Sequence, residues 1–117
     1  MKPNVLVIVT DDPRISARPA EAIRIAAGVG AWKKADVNVY LRDAAILMLG
    51  EHVDELVDDE NYVRYLPMLA NLGRPIYVQH GAPLLLKLGR ASLAFEEVSD
   101  QRLANMAASS NYVVRFQ

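Results

Sequence analysis

The sequence has no cysteine among its 117 residues, and only two histidines and one tryptophan. Without a thiol the chain can form no disulfide, no thiolate zinc site and no cysteine nucleophile. An excess of one charge is lacking too, because 13 Lys and Arg stand against 14 Asp and Glu. Nucleic-acid-binding domains usually carry a clear basic excess. The composition therefore predicts no nucleic-acid partner.

Apolar runs of the roughly 18 to 20 residues that cross a bilayer are also missing. The first apolar stretch, residues 4–10, is followed at once by Asp11 and Asp12, which is not the pattern of a signal peptide. We therefore expect a cytoplasmic protein with no membrane partner. With 52% hydrophobic residues and no linker, residues 1–117 should form a single domain around one core.

Five segments have the pattern of strands. Residues 4–10 form an unbroken β-branched run, which is typical of a strand buried on both faces in the middle of a sheet. Residues 36–42 alternate, with Asn38, Tyr40 and Arg42 on the polar side, and this predicts a half-exposed strand nearer an edge. Three further strands are predicted at 75–79, 93–98 and 112–116.

Helical patterns fill the intervals between these strands. They predict helices at 19–34, 43–57, 62–72 (interrupted by Pro67) and 83–88, and a last helix capped by Ser99. Gly73 and Gly89 are expected as glycine caps that end helices. The alternation predicts an α/β three-layer sandwich with a mostly parallel five-stranded sheet, of the flavodoxin-like or Rossmann-like type.

The first predicted helix is apolar on two faces. One stripe consists mostly of small residues, whereas Ile25, Val29 and Trp32 fall on nearly the opposite side of the helix. So small a domain has little of its own to cover the second face. The pattern therefore predicts an interface with another subunit, anchored by Trp32, and a homo-oligomer.

Residues 51–60 carry six acidic side chains and neither Lys nor Arg, so the rest of the chain is mildly basic. This distribution leaves room for a small anionic ligand. Within the segment, the spacing of Val53, Leu56 and Val57 predicts an amphipathic helix with a solvated acidic face. We favour that interpretation over a metal site at His52.

A ligand site is expected where the carboxyl ends of the strands meet. The connections at that edge supply the candidate residues Asp11, Asp12, Arg14, Ser16, Arg42, Gln79, His80 and Gly81. The two arginines and the amides of the first loop would attract an anion, to which His80 would donate. No metal site and no cofactor motif such as a phosphate-binding loop is recognised.

Some of these residues have two interpretations. Asp11 and Asp12 could bind Mg²⁺ or act as an acid/base pair, but aspartates before a proline also favour a simple turn. His80 could be a general base or a nucleophile, or could make a structural hydrogen bond. The competing hypothesis is therefore a small enzyme that uses His80 with Asp11 or Asp12 in acid/base or metal-assisted hydrolysis.

The order and length of the segments resemble the DsrE/DsrF-like family of small sulfur-relay proteins, including its YchN-like members. The resemblance covers nearly the whole chain. It rests on NVLVIVT at 4–10, DVNVYLRDAAI at 36–46, RPIYVQ at 74–79 and SDQRLANMAASSNYVVRF at 99–116.

The resemblance implies a parallel α/β sheet and trimeric, hexameric or heteromeric assembly. In active members it also implies persulfide transfer through a cysteine just beyond the third strand, where this chain has residues 79–82 (QHGA). A persulfide needs a thiol sulfur, so the chain alone cannot transfer sulfur in that way. We therefore expect a non-catalytic oligomer that binds a partner or a small anion. A third alternative is a purely structural subunit beside a cysteine-bearing paralogue.

Overall fold

The protein is described by a computed structural model of residues 2–117. Its sheet consists of β1 (Asn4–Val9), β2 (Asp36–Leu41), β3 (Ile76–Gln79), β4 (Phe95–Val98) and β5 (Tyr112–Phe116). The strands lie in the order β4-β3-β2-β1-β5, and each pair of neighbours is parallel. The predicted five-stranded parallel sheet is confirmed.

Two helices cover one face of the sheet and a third covers the other. Helix α1 (Arg18–Ala31) and helix α2 (Asp59–Ala70) pack together over the larger part of the core. Helix α3 (Asp100–Ser109) contributes Leu103, Met106 and Ala107 to the opposite face. The structure therefore has the three layers that the sequence predicts.

The position of β2 was predicted wrongly. It lies in the centre of the sheet, not near an edge, and Tyr40 on its polar side is fully buried. The alternation itself is correct, because Tyr40 faces α3 while Val39 and Leu41 face the larger core. Tyr40 is polar only at its hydroxyl, so its ring can be buried like any large apolar side chain.

The segment predicted as a helix at 43–57 also differs. It forms two short 3₁₀ helices, Asp43–Leu49 and Val53–Glu55, and contains no α-helix. Backbone hydrogen bonds to distant residues hold it, from Glu51 N to Leu88 O (3.1 Å) and from Val57 N to Pro13 O (2.9 Å). These bonds replace the i to i−4 ladder that a helix would need.

Smaller differences concern the bounds of the other elements. Helix α1 ends at Ala31 instead of residue 34, and β4 begins at Phe95 instead of residue 93. Helix α2 contains Pro67 without being split into two pieces. The segment predicted as a helix at 83–88 is a 3₁₀ helix at Pro83–Lys87. Gly73 and Gly89 both have positive φ, as expected of glycine caps. In residues 2–117 no helix has the length and apolar character to span a bilayer.

Candidate functional site

The three predicted connections do meet at one edge of the sheet. The backbone N–H of Arg42 donates to the carbonyl of Val9 at 3.0 Å, which joins the ends of β1 and β2. The N–H of Asp43 lies 3.5 Å from Gln79 Oε1, at the end of β3. We call this region, formed by residues 10–16, 42–43 and 79–87, the carboxyl edge.

In the first connection, the polar residues bind each other. The Ser16 hydroxyl donates to Asp11 Oδ2 at 2.7 Å and itself accepts from the N–H of Arg18 at 3.1 Å. Arg14 Nη2 lies 2.9 Å from Asp12 Oδ2, and this hydrogen bond lowers the pKa of the Asp12 carboxyl. Both carboxylates therefore take part in turn and capping contacts.

Arg42 connects the end of β2 to α3. Its Nη1 donates to the Tyr40 hydroxyl at 3.1 Å and to Asp100 Oδ1, in the first turn of α3, at 2.9 Å. The hydrogen bond to Asp100 raises the pKa of the Arg42 guanidinium. Arg42 thus holds α3 against the sheet, and its charge is already paired.

His80 and Gly81 contact the neighbouring strand β4. The backbone N–H of His80 donates to the carbonyl of Val98 at 3.1 Å, and that of Gly81 donates to Glu97 Oε1 at 2.9 Å. His80 Nδ1 lies 3.6 Å from the same carboxylate oxygen. The Glu97 carboxylate therefore accepts the free backbone N–H of this turn, in which Gly81 has the positive φ that favours glycine.

The predicted site residues lie at the same edge but are organised as separate local pairs. Asp12 pairs with Arg14, Asp11 with Ser16, Arg42 with Asp100 and His80 with Glu97. Among residues 2–117, no three His, Asp or Glu side chains converge in a way that could hold a metal ion. The acidic side chain that His80 contacts is Glu97, whereas Asp11 and Asp12 contact Ser16 and Arg14.

Two exposed apolar side chains at this edge were missed by the sequence analysis. Ile15, in the first connection, is 81% exposed, and Leu86, after β3, is 93% exposed. Their neighbours Arg14 and Lys87 line one cavity of about 160 Å³, so the two segments lie side by side. Both apolar residues fitted the helical or loop patterns around them, and no sequence signal marked them as exposed.

Asp43, which follows Arg42 at this edge, has a strained backbone. It adopts φ = 55° directly after the central strand β2. Asp tolerates this left-handed conformation better than most residues, yet the conformation still has a cost. Asp43 thereby turns the chain sharply from β2 into the 3₁₀ helix that begins with it.

The three residues predicted at a subunit interface have different surroundings. Trp32 is 69% exposed and Ile25 is 36% exposed, whereas Val29 packs in part against the core. Helix α2 of the same chain packs against α1 and covers part of the face assigned to a second subunit. Trp32 and Ile25 remain the uncovered apolar residues of that face.

Comparisons with known proteins bear on the fold. No protein-family model matches the sequence, and no curated protein matches it. Among solved structures, the YchN protein from E. coli superposes with a TM-score of 0.79, over 99% of this chain and 100% of that one. The two sequences are 17% identical, so the likeness concerns the course of the backbone. The chain therefore has a YchN-like α/β fold, as the resemblance in its sequence predicts.

Proposed function

We propose that the protein is a non-catalytic, oligomeric DsrE-like protein that binds a partner protein at its carboxyl edge. The observation that carries this proposal is the exposure of Ile15 and Leu86 on two adjoining segments of that edge. Exposed large apolar residues surrounded by polar ones are typical of protein-binding surfaces. Arg14 and Lys87 lie beside them, and the cavity that these two line also includes Glu51 and Glu55, so the surface around the apolar pair carries both charges.

A small anion is the less favoured ligand for the same edge. Arg14 and Arg42 each have a carboxylate partner at 2.9 Å, so an anion would have to displace Asp12 or Asp100. Displacing a formed ion pair cancels much of the energy that the new pair supplies. A partner that buries Ile15 and Leu86 does not meet this cost.

A role in sulfur relay is the biological setting that the DsrE-like resemblance suggests. The chain has no thiol, so a persulfide would have to be carried by a cysteine-bearing paralogue. In this proposal the present chain is the binding or structural subunit of such an assembly. The YchN-like fold supports this setting only at the level of architecture.

Binding at the carboxyl edge can be tested with the double variant Ile15→Ser and Leu86→Ser. In cells that contain the native partners, cross-linking through Lys87 should capture a cysteine-bearing DsrE-like protein, and the double variant should lose that cross-link. Val63→Ser is the matched control, because Val63 is 70% exposed but lies on α2. Capture that is equally strong with both variants would contradict the proposed docking surface.

Oligomer formation is tested separately by native mass spectrometry. We expect a trimer or a hexamer, supported by the exposed Trp32 and Ile25 on α1. Trp32→Ala should shift the distribution towards monomer, because a large aromatic anchor contributes strongly to an interface. A wild-type protein that is entirely monomeric at micromolar concentration would refute this part of the proposal.

A further inference from the structure

The structure has a groove that no sequence motif indicated, and it shares Gly50 and Glu51 with the cavity beside Arg14 and Lys87. It has a volume of about 450 Å³ and lies between α2 and the connection from β3 to β4. Its lining is mostly apolar and includes Val53, Tyr62, Val63, Leu66, Pro67 and Leu93. A mostly apolar groove of this size with a few polar groups is the usual form of a small-molecule site.

One wall of the groove, formed by residues 49–51 and 88–92, is held together by backbone hydrogen bonds. Glu51 N donates to the carbonyl of Leu88 at 3.1 Å, and Ser92 N donates to the carbonyl of Leu49 at 2.8 Å. Gly50 lies in the groove lining, where a Cβ would approach the carbonyl oxygen of Leu88 to 3.1 Å. This wall of the groove is therefore fixed backbone, and such preorganisation favours ligand binding.

Tyr62 lines this groove and has an unsatisfied polar atom. The residue is 1% exposed, and its hydroxyl has no hydrogen-bond partner among residues 2–117. Burial, together with the negative charge of Asp58, raises the pKa of this phenol. Phenylalanine would fill the same space without the cost of an unpaired hydroxyl. Departures of this kind from optimal stability concentrate at functional sites.

Opposite charges stand at the rim of the groove and do not pair with each other. Glu51 and Arg90 both line the groove, but the contact of the Glu51 carboxylate is with His52, whose Nε2 lies 3.6 Å from Oε1. The Glu51 carboxylate packs against the turn at Gly89, where a Cβ would lie 2.5 Å from Oε1, and Oε2 accepts weakly from the Arg90 N–H at 3.5 Å. The Arg90 guanidinium has no carboxylate partner in residues 2–117. The same is true of Arg18, Arg64 and Arg115, but none of these three lines the groove.

We propose that this groove binds a free α-amino acid with a large apolar side chain. Its carboxylate pairs with Arg90, its ammonium group pairs with Glu51, and its side chain occupies the apolar lining beside the Tyr62 ring. A zwitterion matches both rim charges. A simple anion would be repelled by Glu51, and a simple cation would be repelled by Arg90. The ligand would contact neither Ile15 nor Leu86, so its binding does not require the proposed docking of a partner protein.

Isothermal titration calorimetry with L-phenylalanine and two analogues tests the proposal. 3-Phenylpropanoate lacks the ammonium group and 2-phenylethylamine lacks the carboxylate, so each should bind about tenfold more weakly than phenylalanine. Arg90→Gln should weaken the binding of phenylalanine and phenylpropanoate about tenfold and leave the binding of phenylethylamine unchanged. Glu51→Gln should weaken phenylalanine and phenylethylamine and leave phenylpropanoate unchanged.

Arg64→Gln is the matched control, because Arg64 is an exposed cation of α2 that does not line the groove. It should bind phenylalanine like the wild type. The Ile15→Ser and Leu86→Ser double variant should do so as well, which separates this site from the carboxyl edge. The proposal would be overturned if phenylalanine showed no saturable binding up to about 10 mM. It would also be overturned if neither Arg90→Gln nor Glu51→Gln changed the affinity for phenylalanine.

Discussion

At the scale of single residues, two buried tyrosines differ in what their hydroxyls contact. The Tyr40 hydroxyl accepts a hydrogen bond from Arg42 at 3.1 Å, whereas the Tyr62 hydroxyl is unpaired in the described chain. We expect Tyr40→Phe to lower the free energy of unfolding by about 1–2 kcal/mol, because a charge-assisted bond is lost. Tyr62→Phe should raise it by about 1 kcal/mol. Urea denaturation of both variants checks the opposite signs, and destabilisation by Tyr62→Phe would show that its hydroxyl is paired in solution.

The Asp12–Arg14 pair makes stability depend on pH. The pKa of Asp12 is lower in the folded protein than its ordinary value of 3.8, mainly because of the hydrogen bond from Arg14. The ionised carboxylate therefore stabilises the fold above that value, and this contribution is lost as the pH falls through the lowered pKa. We expect Asp12→Asn to show a smaller fall in Tm than the wild type from about pH 5 to about pH 3.

The control for that measurement is Asp54→Asn, since Asp54 is exposed and has no ion-pair partner within residues 2–117. Its fall in Tm should match that of the wild type. An equal fall for the wild type and Asp12→Asn would mean that the pair with Arg14 does not persist in solution.

The candidate residues could be located from the sequence, but their partners could not. The strand ends were recognisable, so Asp12, Arg42 and His80 were assigned correctly to the same edge of the sheet. The partners of Arg42 and Gly81 are Asp100 and Glu97, which lie 58 and 16 residues further along the chain. Such contacts depend on which strands become neighbours, and no local pattern records that order.

At the scale of elements, α1 contains two glycines with different surroundings. A Cβ at Gly28 would meet nothing within 4 Å, whereas a Cβ at Gly30 would overlap the Leu72 side chain. Gly28→Ala should therefore stabilise the protein by about 0.5–1 kcal/mol through higher helix propensity. Gly30→Ala should destabilise it, because Leu72 must move away from the core. Thermal unfolding of both variants checks whether Tm rises for the first and falls for the second. A higher Tm for both would show that Leu72 moves aside without a loss of stability.

Elements with regular periodicity were predictable, and the irregular segment was not. Helices α1 and α2 bury apolar residues at helical spacing, so the pattern of apolar residues identifies them. Residues 43–57 also show apolar spacing, but two of their backbone N–H groups donate to the distant carbonyls of Leu88 and Pro13. The competing tertiary bonds decide the conformation there, and helical spacing alone gave the wrong prediction.

At the scale of the whole molecule, the strands of the sheet differ in how well they are protected from solvent. Strand β1 has a strand on each side, whereas β5 pairs only with β1 and leaves Tyr112, Val113 and Val114 partly exposed. Hydrogen exchange of the free protein should therefore be slowest in β1 and β2 and fastest in β5 among the strands. Val7 and Val114, which are direct neighbours in the register, give a local comparison. Equal protection of these two amides would indicate that another surface covers β5 in solution, as an oligomer would.

The order of the strands has a consequence for synthesis of the chain. Strands β1 to β4 follow one another across the sheet, but β5 returns over the opposite face through α3 to the far side of β1. The outer edge of β1 therefore stays open while the other four strands are already made. An open, apolar edge of this kind can pair with another nascent chain. Translation that pauses before residues 112–116 would expose the protein to misassembly at the strand that later becomes one of its best protected.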